Sequence, residues 1–176
     1  MKRKRTLQTF PNSHKALVMT VFEQIKTLLD EQSIEYAVSH HEPVYTSEEA
    51  ARVRGVALQT GAKALICKCD KEMFQFVIPA DMRLAGRAVR RQFGWRKLRF
   101  ATPEEVLQIT GLKPGSIPPF GSLFDLTTYC DEMLLNNSHI NFNAGDHAIS
   151  ISMRCDDYIR AENPHLGTIA EATPPS

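Results

Sequence analysis

The order of hydrophobic patterns along this 176-residue chain predicts a mixed α/β (α+β) domain, a mixed, largely antiparallel sheet flanked by helices. Three observations lead there. Helix-capping signatures alternate with short β-rich runs. The strongest pair of such runs, Ala62 to Cys69 and Met73 to Ile78, is joined only by Asp70-Lys71-Glu72, which makes a hairpin. The second half of the chain then holds three or four strands without the regular strand–helix alternation of a doubly wound fold. With 43% hydrophobic residues one sizeable core is within reach. The chain divides into a basic, disordered arm at 1–14, one domain at 15–163 and a tail at 164–176.

Taken in order, Leu17, Val18, Val21, Phe22, Ile25, Leu28 and Leu29 fall at helical spacing, so a helix runs to about Glu31. Ile34 to Val38 alternates as a short strand. Thr46 stands three residues before Glu49, a capping box, and Gly55 supplies a left-handed exit, so a helix covers 47–54. After the hairpin, Leu84 to Phe93 reads as a helix ended by Gly94, and Trp95 to Phe100 as a strand. Thr102-Pro103-Glu104-Glu105 is a second capping box with proline at the first helical position, closed by Gly111. Gly111 to Gly121 is too rich in glycine and proline for regular structure and forms an ordered loop that presents backbone. Strands follow at Leu123 to Tyr129, Ile140 to Phe142 and Ala148 to Met153, with a turn at Asn143 to Asp146 and a short helix over Asp156 to Ala161.

Lys and Arg number 21 and Asp and Glu 20, yet the balance is uneven. Four bases crowd Lys2 to Arg5, and Arg83 to Arg99 carries six arginines and Lys97 with no acid, leaving ten bases against all the carboxylates elsewhere. That asymmetry favours a localised anion site. Four cysteines without a C-x-x-C pair, and no signal-type or membrane-length apolar segment, imply a reduced, cytoplasmic protein. The six histidines lack zinc-ligand spacing, so no metal is expected. The chain also lacks a G-x-S-x-G nucleophile elbow and a Gly-Lys-Ser/Thr phosphate loop. No cofactor is implied.

What remains is Lys63 near the start of the apolar run Thr60 to Cys67, the Gly/Pro loop, the Gly145-Asp146-His147 turn, and the stripe of Arg87, Arg90 and Arg91 at i, i+3 and i+4. A lysine in such a place either reaches back to solvent along its own stem or meets an anionic ligand. The series Glu42-Pro43-Val44-Tyr45-Thr46 through Ala51, Gly61-Ala62-Lys63-Ala64-Leu65, Ile78-Pro79-Ala80-Asp81, Phe100 to Val106, Gly111 to Gly121 and Phe142 to Gly145 resembles the YbaK and prolyl-tRNA synthetase-associated editing domain family over roughly Leu17 to Ile159.

The resemblance implies a freestanding deacylase that hydrolyses the ester of a mischarged tRNA, with alanine on proline tRNA as first choice and cysteine or serine next, and a prolyl-tRNA synthetase as a possible partner. It implies Lys63, Gly115 and Pro118 as catalytic residues and Tyr45, Thr46, Ser116, Ile117, Gly121, Gly145 and His147 as substrate-binding ones. Arg83, Arg87, Arg90 and Arg91 are the candidate tRNA contacts, because phosphate neutralisation supplies sequence-independent affinity. Such a reaction starts from an activated ester and needs a placed water and donors for the oxyanion, not a protein nucleophile. The alternative is a non-catalytic tRNA- or synthetase-binding module of the same fold.

Overall fold

Three helices in this protein open on the same device, a threonine hydroxyl taking the N3 amide while the N3 glutamate reaches back to the cap. The computed structural model describes residues 18–174; the basic arm at 1–14 and Leu17 lie outside them. The devices are Thr20 with Glu23 for α1 (Val21–Glu31), Thr46 with Glu49 for α2 (Ser47–Arg54) and Thr102 with Glu105 for α4 (Pro103–Thr110). The second and third match expectation. The first corrects it: α1 begins at Val21, and Val18 is 90% exposed before the cap. Hydrophobic spacing alone carried the reading four residues too far, past a Thr-x-x-Glu signature that marks the true start.

The hairpin forms as predicted from β2 (Ala62–Cys69) and β3 (Glu72–Pro79), with Asp70 in the left-handed region at its turn. It is the centre of a five-stranded mixed sheet. Short β5 (Leu98–Phe100) lies antiparallel on β2, while β6 (Thr127–Asp131) and β9 (His165–Gly167) extend the other edge in parallel. Strands β1 (Tyr36–His40), β7 (His139–Asn143) and β8 (Ile149–Arg154) make a separate antiparallel sheet in the order β1-β8-β7. A parallel bridge between Gly61 and Asn141 brings the start of β2 alongside β7.

Several elements differ from the sequence reading. A short β4 (Met82–Leu84) precedes α3 (Gly86–Phe93), so that helix starts two residues late. Trp95 leaves the expected strand and joins Phe74, Phe76, Phe93 and Tyr129 in an aromatic cluster. Leu123 closes a 3₁₀ turn over Gly121–Phe124, and the strand follows it; α5 (Cys155–Glu162) is a full helix.

The largest correction concerns 164–176, expected to be a tail. Besides β9, residues Ala170–Ala172 form β10, antiparallel to β4. Two forces hold this segment. The Ile169 side chain is wholly buried, and the buried Asp131 carboxylate accepts the Ile169 and Ala170 amides at 2.8 and 2.7 Å. A lone apolar residue in a polar stretch gives little periodicity to read, yet one buried side chain and charge-assisted bonds suffice to order it. Ile169→Ala should therefore lower unfolding free energy by about 2–5 kcal/mol in urea denaturation; a change within about 0.5 kcal/mol, as expected for an exposed tail, would contradict the burial.

Candidate functional site

Where α2, the start of β2, the Gly/Pro loop and β7 meet, they enclose a cavity of about 210 Å³. Alanines are frequent on its wall, with Ala50, Ala51, Ala57, Ala62, Ala64 and Ala80 beside Thr46 and Ser47, and larger apolar residues such as Val44, Leu58, Leu65, Ile117 and Phe142 complete it. No carboxylate does. Two cations do, Lys63 and Arg54.

Lys63 is placed by the hairpin register, opposite Ile78, near the open end of β2. Its Nζ donates to the Met82 carbonyl at 2.7 Å. Partial burial draws its pKa below the ordinary lysine value, while Glu48 and Asp81 oppose the shift through space. The lysine thus faces the cavity as a tethered cation instead of escaping to solvent along its stem.

The loop after α4 owes its shape to partners far away in sequence. Its carbonyls are taken up one after another: Gly115 accepts from Asn143 Nδ2 at 2.7 Å, Ser116 from the Gly145 amide at 2.9 Å, Pro118 from Gln75 Nε2 at 3.0 Å and Pro119 from Tyr158 Oη at 2.9 Å. Because a trans peptide points its N–H away from its carbonyl, anchoring the Ser116 carbonyl turns the Ile117 amide the other way. Neither that amide nor the Gly115 amide is engaged in a hydrogen bond among the described residues, and both residues line the cavity. Gly115 has φ +87°, a conformation that favours glycine, and a Cβ there would also press on His147 Cε1 at 3.2 Å.

Of the residues named from sequence, Lys63, Gly115, Ile117, Tyr45 and Thr46 converge on this cavity. Tyr45, 72% exposed, lies at its rim with its ring 4.8 Å from that of His147, whose Nδ1 donates to the Val44 carbonyl. His147 stands behind Gly115 and Gly145 behind Ser116, both as supports. Ser116, Pro118 and Gly121 are not on the cavity wall. The Ser116 hydroxyl donates to the Lys113 carbonyl, and Gly121 is buried where a Cβ would fall on Thr128 and on the Leu126 carbonyl, 2.9 Å away. For these three the family-like spacing marked how the loop is held.

The four arginines do not form one set. Arg83 pairs with Glu171 at 2.7 Å on the paired strands β4 and β10. Arg87, Arg90 and Arg91 are exposed on α3 without a carboxylate partner among the described residues. Arg96 and Lys97 adjoin them, on a loop whose amides are pinned by the Asp70 carboxylate. Lys68, five residues along β2 from Lys63, borders the same surface, so about 17 Å of strand separates it from the cavity.

The four cysteines are buried and unbridged. Burial pushes the thiol of Cys67 up to about 12 and those of Cys69 and Cys155 to about 11, which leaves no thiolate for nucleophilic attack at neutral pH. Sequence reasoning missed Arg54, because an arginine in the last turn of a helix is ordinarily read as a dipole partner. It also missed Asn143 and Glu162 as loop anchors. Glu162 accepts from the Ser122 amide at 3.1 Å, the Ser122 hydroxyl at 2.6 Å and Thr128, fixing the loop's exit.

A family model described as an aminoacyl-tRNA editing domain matches residues 41–161. The chain is 31% identical over 149 residues to the multifunctional Ser/Thr-tRNA deacylase ProXp-y of Escherichia coli K12, covering 82% of this chain and 89% of that protein. It is 26% identical over 135 residues to the prolyl-tRNA editing protein ProX of Acetoanaerobium sticklandii, covering 73% and 82%. Against a proline–tRNA ligase of Staphylococcus epidermidis the match is 28% over 116 residues, 64% of this chain but 20% of the ligase. The fold is shared with a crystal structure of the hypothetical protein APE2540, at a TM-score of 0.78 and 22% identity over 85% of this chain and all of that one. It is shared too with a candidate trans-editing enzyme for prolyl tRNA synthetase, at 0.76 and 23% over 88% and 99%.

Burial raises the Glu162 carboxyl above its usual range, against the lowering effect of its donors. The folded state therefore holds this proton more tightly than the unfolded chain. Glu162 contributes stability that is full below the ordinary carboxylate range and is lost as pH rises through the folded-state value. Urea midpoints measured across that window should fall more steeply with pH for the parent than for Glu162→Gln; parallel curves would show that Glu162 is not the group responsible.

Proposed function

The chain belongs to the aminoacyl-tRNA editing domain family, and on that premise we propose that it is a deacylase acting in trans, which frees a wrongly attached amino acid by hydrolysing its ester to the 3′ end of a tRNA. One observation carries the reading. Lys63, Gly115 and Ile117 line a single small cavity with no carboxylate on its wall, and the Gly115 and Ile117 amides have no hydrogen-bond partner among the described residues. The match covers 89% of the Escherichia coli deacylase and 20% of the synthetase.

In this mechanism a water attacks the ester carbonyl, and the bond to the ribose oxygen breaks as that oxygen takes up a proton. The Gly115 and Ile117 amides receive the charge that grows on the carbonyl oxygen, where one preset donor is worth about 10²–10³ in rate. Lys63 adds a cation beside them. The neighbouring ribose hydroxyl of the substrate relays the water's proton, since the cavity wall contains no carboxylate, histidine or thiolate to act as base. The alanine-lined wall sorts amino acids by exclusion, as a second sieve must where a synthetase gains only about 1–3 kcal/mol per methylene.

Alanine, cysteine and serine esters of proline tRNA are the first substrates of this reading. The hydroxyls of Thr46 and Ser47 add threonine to the panel, in keeping with the name of the Escherichia coli relative. A cytoplasmic setting follows from such a substrate. Among the described residues no helix is long and apolar enough to cross a membrane. The exposed bases of α3 and the neighbouring loop suit the phosphates of the acceptor stem while the single-stranded end reaches the cavity.

Lys63→Ala should lower kcat/KM for the best ester of the panel by about 10²–10³ with an unchanged unfolding curve; undiminished hydrolysis would remove Lys63 from the mechanism. Binding to every mischarged tRNA without turnover would instead identify a recognition module. Replacing Arg87, Arg90 and Arg91 by Gln should reduce the slope of log K against log salt by about 2–3. An unaltered slope would place the tRNA elsewhere.

A further inference from the structure

The second cation of the cavity has no part in the reaction as described. Arg54 ends α2, is largely buried and forms no ion pair among the described residues. Burial pulls its pKa down to about 10. The negative end of the helix offsets some of this cost, but an arginine kept in such a place is normally held for its hydrogen bonds.

Those bonds form a directed chain. Arg54 Nε donates to Ser150 Oγ at 2.8 Å and Nη2 donates to Asn143 Oδ1 at 2.5 Å. On the first side, His41 Nδ1 lies 2.8 Å from the Glu42 carbonyl, which can only accept, so Nδ1 carries the ring proton. His41 Nε2, 2.7 Å from Ser150 Oγ, is then an acceptor, and the serine hydroxyl gives its proton to the ring while receiving the Arg54 Nε–H. On the second side the guanidinium admits only an oxygen, which sets the Asn143 amide one way round and leaves its Nδ2 to donate to the Gly115 carbonyl. The links from Arg54 through Asn143 have one permitted sense, and the chain ends on the peptide that joins Gly115 to Ser116.

We propose that Arg54 is a positioning residue for ester hydrolysis, acting through Asn143 to hold the Gly115–Ser116 peptide, the link between the two residues whose amides, Gly115 and Ile117, receive the oxyanion. The proposal rests on the deacylase reading. It accounts for an arginine at the cavity where a lysine already supplies charge, because one ammonium cannot span the two acceptors as a planar guanidinium does.

The test is a double-mutant cycle on the mischarged tRNA that the parent protein hydrolyses best. Arg54→Ala and Asn143→Ala should each lower kcat about 10- to 100-fold with KM little changed, and the double variant should lose no more than the worse single one. Arg54→Lys, which keeps charge and most of the packing, should lose as much as Arg54→Ala. Added guanidinium should restore kcat in Arg54→Ala but not in the double variant. Multiplicative losses, a loss confined to KM, or rescue of the double variant would mean that Arg54 meets the substrate directly, and would overturn the proposal. Amide hydrogen exchange at Ser116, whose N–H belongs to the held peptide and donates to the Lys113 carbonyl, reads the same coupling without turnover: it should quicken alike in both single variants, and unchanged rates would refute the positioning role. A parent protein inactive on every ester would sink the deacylase reading, a result the exchange rates do not depend on.

Discussion

The site depends on backbone carbonyls being turned inward. From Gly115 to Pro119 the loop after α4 surrenders four carbonyl oxygens to donors from β3, β7, α5 and the turn after β7. Proline stiffens such a segment but cannot by itself decide which way its peptides face. The decision is made by Asn143, Gly145, Gln75 and Tyr158, which lie in three separate stretches of chain. Release of the Ser116 carbonyl would let its peptide rotate and carry the Ile117 amide with it, while the other three bonds hold the backbone on either side. The three-stranded sheet, the centre of the hairpin sheet and the last helix are thus all needed to hold a few atoms, and this explains why so small a cavity sits at the meeting point of both larger sheets.

The same arrangement sets function against stability. A cavity with two cations, two amides without partners and no carboxylate is poorly satisfied in the absence of an anionic or strongly polar occupant. An enzyme surface designed for rigidity alone would place an acid beside Lys63 or Arg54. Here Glu48 and Asp81 influence Lys63 without lining the cavity, and the acids that form ion pairs, such as Glu105 with Arg99 and Glu171 with Arg83, stay on the outer surface. Charge is left uncompensated where a substrate's developing negative charge would supply the balance.

Local chemistry was the part of the molecule most open to reading from sequence. The capping boxes at Thr46 and Thr102, the hairpin about Asp70 and the glycine exits at Gly55 and Gly111 depend on neighbours within four residues, and they stand where the pattern puts them. Lys63, Gly115 and Tyr45 came from the resemblance, and the structure gathers them at one cavity. What escaped depends on contacts across the chain. Arg54 is informative only once Ser150 and Asn143 are beside it, 96 and 89 residues away. Ile169 is one apolar side chain whose burial site is built by other elements, so no periodicity announces it. Ser116, Pro118 and Gly121 lie on the same loop as Gly115 and Ile117 but off the cavity wall, a distinction that spacing alone does not draw.

The parallel strand β9 and its partner in β6 give the chain an order of assembly. Strand β6 and the Asp131 carboxylate are synthesised some forty residues before the groups that complete them at 165–170. Until then a ribosome-bound intermediate carries an open parallel edge and a buried-to-be carboxylate that only water can satisfy. Non-local parallel pairing is slow to form and its open edges invite intermolecular contact. Pairing of β9 with β6 and of β10 with β4 completes the Asp131 site and moves the sheet's parallel edge onto a strand of only three residues, too short to template another chain well.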